Sequence, residues 1–110
     1  MATIDDLARL DLRVGRVLSV AANQKARRPA FVLDIDFGSE LGVKRSSAQV
    51  TERHRMEELI GRLVVAVVNF PARYVAGVRS EVLVLAAVGE GGATLLTTSR
   101  DDVEPGSRIA

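Results

Sequence analysis

The stretch Arg62-Leu63-Val64-Val65-Ala66-Val67-Val68-Asn69-Phe70-Pro71-Ala72-Arg73 decides the fold, together with the return Gly77-Val78-Arg79-Ser80-Glu81-Val82-Leu83-Val84-Leu85-Ala86-Ala87-Val88. Leu63 to Val68 is apolar at every position. A half-exposed strand alternates, so this one is expected to be covered on both faces. The segment between the two apolar runs carries Asn69, Pro71, Arg73, Arg79, Ser80 and Glu81. Two rigid strands presenting a polar loop are one way to build a binding site.

Upstream of this pair, Thr3 and Asp6 resemble a capping box with a shortened acid, and Ile4, Leu7 and Leu10 fall near helical spacing. A helix over about Ile4 to Leu10 is too short to stand alone, so its apolar stripe needs a partner surface. Leu12 to Ala22 reads as a long strand, with Gly15 marking a bulge or bend. Phe31, Leu33, Ile35 and Phe37 alternate with Val32, Asp34 and Asp36, the clearest period-two pattern in the chain. Gly38 to Gly42 reads as a hairpin loop into a third strand, Val43 to Val50. Thr51 is a candidate cap for a helical turn through Met56, Leu59 and Ile60, which Gly61 stops. Strand four follows at Leu63 to Asn69 and strand five at Glu81 to Val88. Gly89 to Gly92 is a turn into an added strand, Ala93 to Thr98, and the tail turns at Pro105-Gly106.

Three strands, a helical turn and two more strands is the order of an OB-fold: an all-β, five-stranded barrel. An SH3-like barrel has the same strand count and less room for the helix before strand four. With 110 residues the chain is one domain, 1–110.

The totals exclude several functions. There is no cysteine and a single histidine, His54, so no disulfide framework, thiolate or zinc site is expected. Flanked by Glu52, Arg53 and Arg55, His54 reads as a solvated helix residue. Ser46-Ser47 lacks the glycines and base of a nucleophile elbow, and no phosphate loop is present. The reading is therefore non-enzymatic, with no metal and no cofactor. No apolar run approaches the ~18 residues of a membrane span, and Met1 to Asp6 lacks a signal-peptide pattern, so a cytoplasmic location is expected.

Net charge is +1, from 15 bases and 14 acids, which argues against a strongly cationic nucleic-acid binder. The distribution is uneven. Between Arg13 and Arg55 stand nine bases and four acids, leaving that segment at +5 and the remainder at −4. In an OB-fold, ligands cross strands two and three between the loops after strands one and four. The first loop supplies Lys25, Arg27 and Arg28. Strand three supplies Lys44, Arg45, Ser47 and Gln49, and the second loop Arg73, Tyr74 and Arg79. Stacking aromatics are scarce: Phe31 and Phe37 read as core, leaving Tyr74 as the loop aromatic.

Seven ordered stretches resemble the EMAP-II-like tRNA-binding domain family. They are Asp11–Val17, Asp36-Phe37-Gly38, Ser46–Gln49, Glu58–Gly61, Val68–Pro71, Ser80–Leu85 and Pro105-Gly106. Within that family the chain is most similar to the CsaA type, chaperone-like factors linked to protein export. Many tRNA-binding members carry Asp-Lys-Leu before strand two. This chain has Arg28-Pro29-Ala30 there, a change the CsaA type shares. The resemblance implies an OB-fold homodimer built from elements outside the barrel, with Ile4, Leu7, Val65, Val67 and Ile109 at the interface and the C-terminal extension taking part. It implies a binding face that adds Asn69, Ser80 and Glu81 to the cations above. Two ligands stay open: unfolded or precursor polypeptide held by a chaperone, or tRNA bound in trans or alongside an aminoacyl-tRNA synthetase.

Overall fold

The computed structural model describes residues 1–110. Helix α1 (Ile4–Ala8) leads into β1 (Leu12–Ala22), β2 (Phe31–Asp36), a helical turn α2 (Gly38–Leu41) and β3 (Val43–Ala48). Helix α3 (Met56–Leu59) precedes β4 (Leu63–Val67). Short strands follow: β5 (Arg73–Val75), β6 (Val78–Ser80), β7 (Leu83–Val84), β8 (Ala86–Gly89) and β9 (Gly92–Leu95). The main sheet is antiparallel, in the order β3-β2-β1-β4-β7. It curls into a nearly closed five-stranded barrel of OB type with few short helices. No helix is long and apolar enough to cross a membrane.

β1 is the hub because its length lets it serve two neighbours. Its first half pairs with β4, Leu12 opposite Val67 and Arg16 opposite Leu63, and its second half pairs with β2. The edge that β2 leaves free on the first half is taken by the C-terminal tail. Val14 N–H donates to Ser107 O at 2.9 Å, and Ile109 N–H to Leu12 O at 2.9 Å. The tail reaches β1 because Pro105-Gly106 packs directly on the Phe37-Gly38 backbone. Gly106 has φ +93°, and a Cβ there would stand 2.5 Å from Phe37 O. Only glycine satisfies both conditions.

The barrel interior follows the alternation. Phe31, Leu33, Ile35 and Phe37 are buried with Val17, Leu59, Val64, Ala66, Val82, Val84 and Leu95. Each fully buried side chain of this kind stabilises by about 1.5–3 kcal/mol. All of β4 is buried, as its unbroken apolar run requires. Val65 and Val67, placed at a dimer interface by resemblance, are covered within the one chain, at 9% and 2% exposure. Of that set, Ile4, Leu7 and Ile109 remain exposed.

Five readings change in detail. The irregularity in β1 lies between Val17 and Ser19, not at Gly15. Gly15 is instead a point of close packing, since a Cβ there would stand 2.5 Å from Ile35 Cγ2 and 2.7 Å from the Phe37 ring. Gly38 to Leu41 is a helical turn rather than an open loop. α3 begins after Arg55, whose N–H donates to Glu58 Oε1 at 3.0 Å, so Thr51 is not its cap. Strand five is broken: β6 ends at Ser80, and β7 and β8 are separate pieces of the former Glu81–Val88. Finally, His54 is not solvated. Its side chain is 14% exposed and hydrogen-bonded at both nitrogens.

Candidate ligand-binding trough

The seam between β3 and the Ser80–Val84 segment is closed largely by side chains. Ser80, itself buried, accepts from Ser47 N–H at 3.0 Å through Oγ. Glu81 accepts from Arg45 N–H at 3.1 Å through Oε1, while Glu81 N–H donates to Arg45 O at 2.7 Å. The other Glu81 oxygen takes Arg79 Nη1 at 3.1 Å. Ser80 and Glu81, read as ligand groups, thus close the barrel. Asn69 is likewise occupied. Its Oδ1 accepts from Asp11 N–H and its Nδ2 donates to Arg9 O, both at 2.9 Å, tying the exit of β4 to the link between α1 and β1. These two bonds fix the orientation of the exposed Asn69 side chain, which keeps one amide hydrogen and one oxygen lone pair for a ligand.

Beside the seam lies an open cleft of ≈ 460 Å³. Its floor is apolar: Val75, Leu83, Val84, Ala86, Val88 and Ala93. Ser47, Gln49, Glu52 and Arg73 stand around it. The β8–β9 hairpin forms one wall, and β3 with its exit through Val50 forms the other. Through Gln49 and Val75 the cleft continues into a second, lined by Lys25, Arg27 and Arg28 with Ala26, Ala30 and Ala76. Through Arg73 and Leu83 it continues into a third, lined by Phe70, Pro71 and Val82 with Ser80 and Glu81. The three make one trough, apolar in the middle and cationic at the end formed by the loop after β1.

The segment between the two apolar runs is itself a hairpin, β5–β6, with Ala76 and Gly77 at its tip. Asn23 Nδ2 donates to Val75 O at 3.4 Å, joining that hairpin to the loop after β1. The cations of two loops are thereby brought to one side of the barrel.

Lys25, Arg27, Arg28, Lys44 and Arg73 have no carboxylate within ion-pairing distance. Arg45 differs. Its guanidinium holds Asp34 at 2.9 Å and 3.2 Å, and this keeps the Asp34 carboxyl below the usual carboxylate range. Lys44 lines a further cleft with Arg45, Arg79 and Glu81, which meets the trough only at Glu81. Tyr74 is 75% exposed on β5 and lines none of the three clefts. No cluster of metal-ligating side chains exists.

The structure therefore gathers Lys25, Arg27, Arg28, Ser47, Gln49 and Arg73. It leaves Lys44, Arg45 and Tyr74 outside, while Asn69, Ser80 and Glu81 carry framework hydrogen bonds and the last two also line the third cleft. An apolar floor belongs to the polypeptide reading, but the sequence alone does not name its residues. Its signal was the run Val82 to Val88, apolar at every position although it lies at the end of the sheet, where half of its side chains face outward.

Residues 12–108 match the family described as "Putative tRNA binding domain". Among solved structures, the CsaA chaperone protein of Picrophilus torridus is 44% identical with a TM-score of 0.94, covering 100% of both chains. The chaperone CsaA of Bacillus anthracis is 49% identical with a TM-score of 0.92, covering 100% of this chain and 99% of the other. The methionine–tRNA ligase of Archaeoglobus fulgidus is 39% identical over 108 residues, which is 97% of this chain and 16% of that enzyme. The chain thus spans about one sixth of the length of such ligases. It belongs to the tRNA-binding domain family.

Proposed function

We propose that, as a member of the tRNA-binding domain family, this chain is a non-catalytic binding module that holds extended, unfolded polypeptide in its trough. One observation carries the reading: an open apolar floor continuous with cations that lack partners in the chain. Apolar side chains of an extended segment seat on Leu83, Val84 and Val88. Acidic residues of the same segment reach Lys25, Arg27, Arg28 and Arg73. A folded protein hides such side chains and an unfolded one presents them, so the chemistry selects for the unfolded state. One seated leucine contributes about 1.5–3 kcal/mol, and useful affinity takes several. The likeness to CsaA chaperones over the full chain supports this reading.

The same proposal makes the protein a cytoplasmic homodimer acting on precursors before export. Ile4, Leu7 and Leu10 leave an apolar stripe exposed, and Ile109 is exposed on the tail; a second copy is the surface that would cover them.

The test is equilibrium binding of a labelled, chemically unfolded polypeptide at physiological salt. Saturable binding is expected, and its absence overturns the reading. A second reading, tRNA bound across the cationic end, is favoured by the family and by the unpaired Lys25, Arg27, Arg28, Lys44 and Arg73. If several of these meet phosphates, tRNA affinity falls steeply with salt. A flat salt dependence contradicts it.

A further inference from the structure

We infer that His54 is the positioning residue of the trough: its Nε2 holds the β8–β9 wall in place as a hydrogen-bond acceptor, and proton uptake at that atom releases the wall. The inference rests on the reading of the trough as the binding site, and it concerns regulation of that site.

His54 lies on the turn between β3 and α3, and its backbone N–H donates to Val50 O at 3.2 Å. Its Nε2 accepts from the backbone N–H of Leu95 at 3.0 Å. Its Nδ1 lies 3.2 Å from Glu58 Oε1. A backbone N–H can only donate, so Nε2 must be the bare nitrogen. The ring is then the tautomer with hydrogen on Nδ1, donating to the carboxylate. Leu95 is the last residue of β9 and enters the barrel core with its side chain. The other end of β9 rests on the same turn, where a Cβ on Gly92 would stand 2.9 Å from Glu52 Cβ. The hairpin supplies Ala86, Val88, Gly92 and Ala93 to the trough. The imidazole is the side chain whose polar contact fastens that wall to the β3 side.

An imidazolium has two N–H donors and no acceptor. With a proton on Nε2, the ring faces Leu95 N–H donor to donor, and the wall loses its tie. The surrounding charges are few. Glu58 of α3 is the carboxylate in contact. The Arg55 backbone N–H first, and His54 second, hold Glu58 below the usual carboxylate range, so it remains an anion when the ring takes its proton. Glu52, Arg53 and Arg55 flank the ring on its own segment. Glu90, in the tip between β8 and β9, is the charged residue of the hairpin. From β9, the group facing the ring is the Leu95 N–H.

The experiment measures two things at about pH 8 and about pH 5, on either side of the range where histidine changes charge. One is amide hydrogen exchange across Ala86–Leu95, and the other is affinity for a labelled unfolded polypeptide. The chains compared are wild type, His54→Gln and His54→Phe. Gln keeps an acceptor near the Nε2 position and takes up no proton. Phe keeps the ring shape and removes the acceptor. In wild type the hairpin amides are expected to lose protection at the lower pH, with affinity falling about tenfold, the size of one lost hydrogen bond. His54→Gln is expected to hold both constant, and His54→Phe to behave at both pH values as wild type does at the lower one. Equal hairpin protection in wild type at the two pH values overturns the latch, as does an unchanged slope in His54→Gln. Hairpin opening with unchanged polypeptide affinity overturns the role in the trough and counts against the trough itself. The two failures are therefore distinguishable.

Discussion

Ala76 is the residue whose backbone conflicts most with its identity. It sits at the tip of the β5–β6 hairpin with φ +48°, next to Gly77 at φ +82°. Two adjacent positive values are the signature of a tight hairpin turn that prefers Asn-Gly, and an alanine there opposes its own Cβ. Ala76→Asn is expected to raise stability by about 1 kcal/mol, seen as a higher urea midpoint with an unchanged slope. Asp34 makes a second prediction. Arg45 depresses its folded-state pKa, so its contribution is present above the unfolded carboxylate value and is lost as pH falls through the folded one. Asp34→Asn should flatten the acid limb of a stability–pH curve below about pH 4. It should cost only about 0.2–1 kcal/mol at neutral pH, because the pair is partly exposed. At this scale the sequence was legible in kind and not in role. Asn69, Ser80 and Glu81 were visible as polar groups beside a loop. Whether such a group meets a ligand or a backbone amide depends on what lies opposite. Here the partners are Asp11, Arg45 and Ser47, distant in sequence.

At the scale of elements, strong periodicity carried through. The alternation from Phe31 to Phe37 and the apolar run of β4 became strands with the expected faces covered. The stretch from Arg73 to Val88 did not. Four short hydrogen-bonded pieces look like one loop and one strand when their breaks fall at ordinary residues such as Glu81 and Leu85. The β5–β6 hairpin had a signal, since Tyr74, Val75 and Val78 flank a two-residue turn ending in glycine. The β8–β9 hairpin supports a direct test of the floor. Val88 is 88% exposed and lines the trough. Val88→Glu should therefore leave the melting temperature nearly unchanged while weakening polypeptide binding about tenfold, by placing a charge where an apolar group must seat. Fluorescence anisotropy with the labelled polypeptide measures the second effect, and a thermal melt the first.

At the scale of the whole molecule, the barrel was legible because strand order and the helical turn restrict the topologies. The trough was not, because its floor and walls come from Ser47–Val50, Val75 and the Leu83–Ala93 region, which only the closed barrel brings together. The tail was expected to serve a partner copy, and within this chain it pairs with β1. The exposed stripe of α1 is the surface that the proposed homodimer would cover. A chain carrying Ile4→Glu and Leu7→Glu should sediment as a monomer, with wild type sedimenting as a dimer. Both should melt alike apart from the loss of subunit contact, because neither side chain enters the core.

Amide hydrogen exchange of the wild-type chain, with and without saturating unfolded polypeptide, locates the polypeptide on the barrel surface. Added protection is expected at Ser47–Val50, at Val75 and across residues 83–93, with a weaker effect at residues 25–28. Protection confined to residues 25–28 and 44–45, or none at all under saturation, would contradict the trough as the polypeptide site.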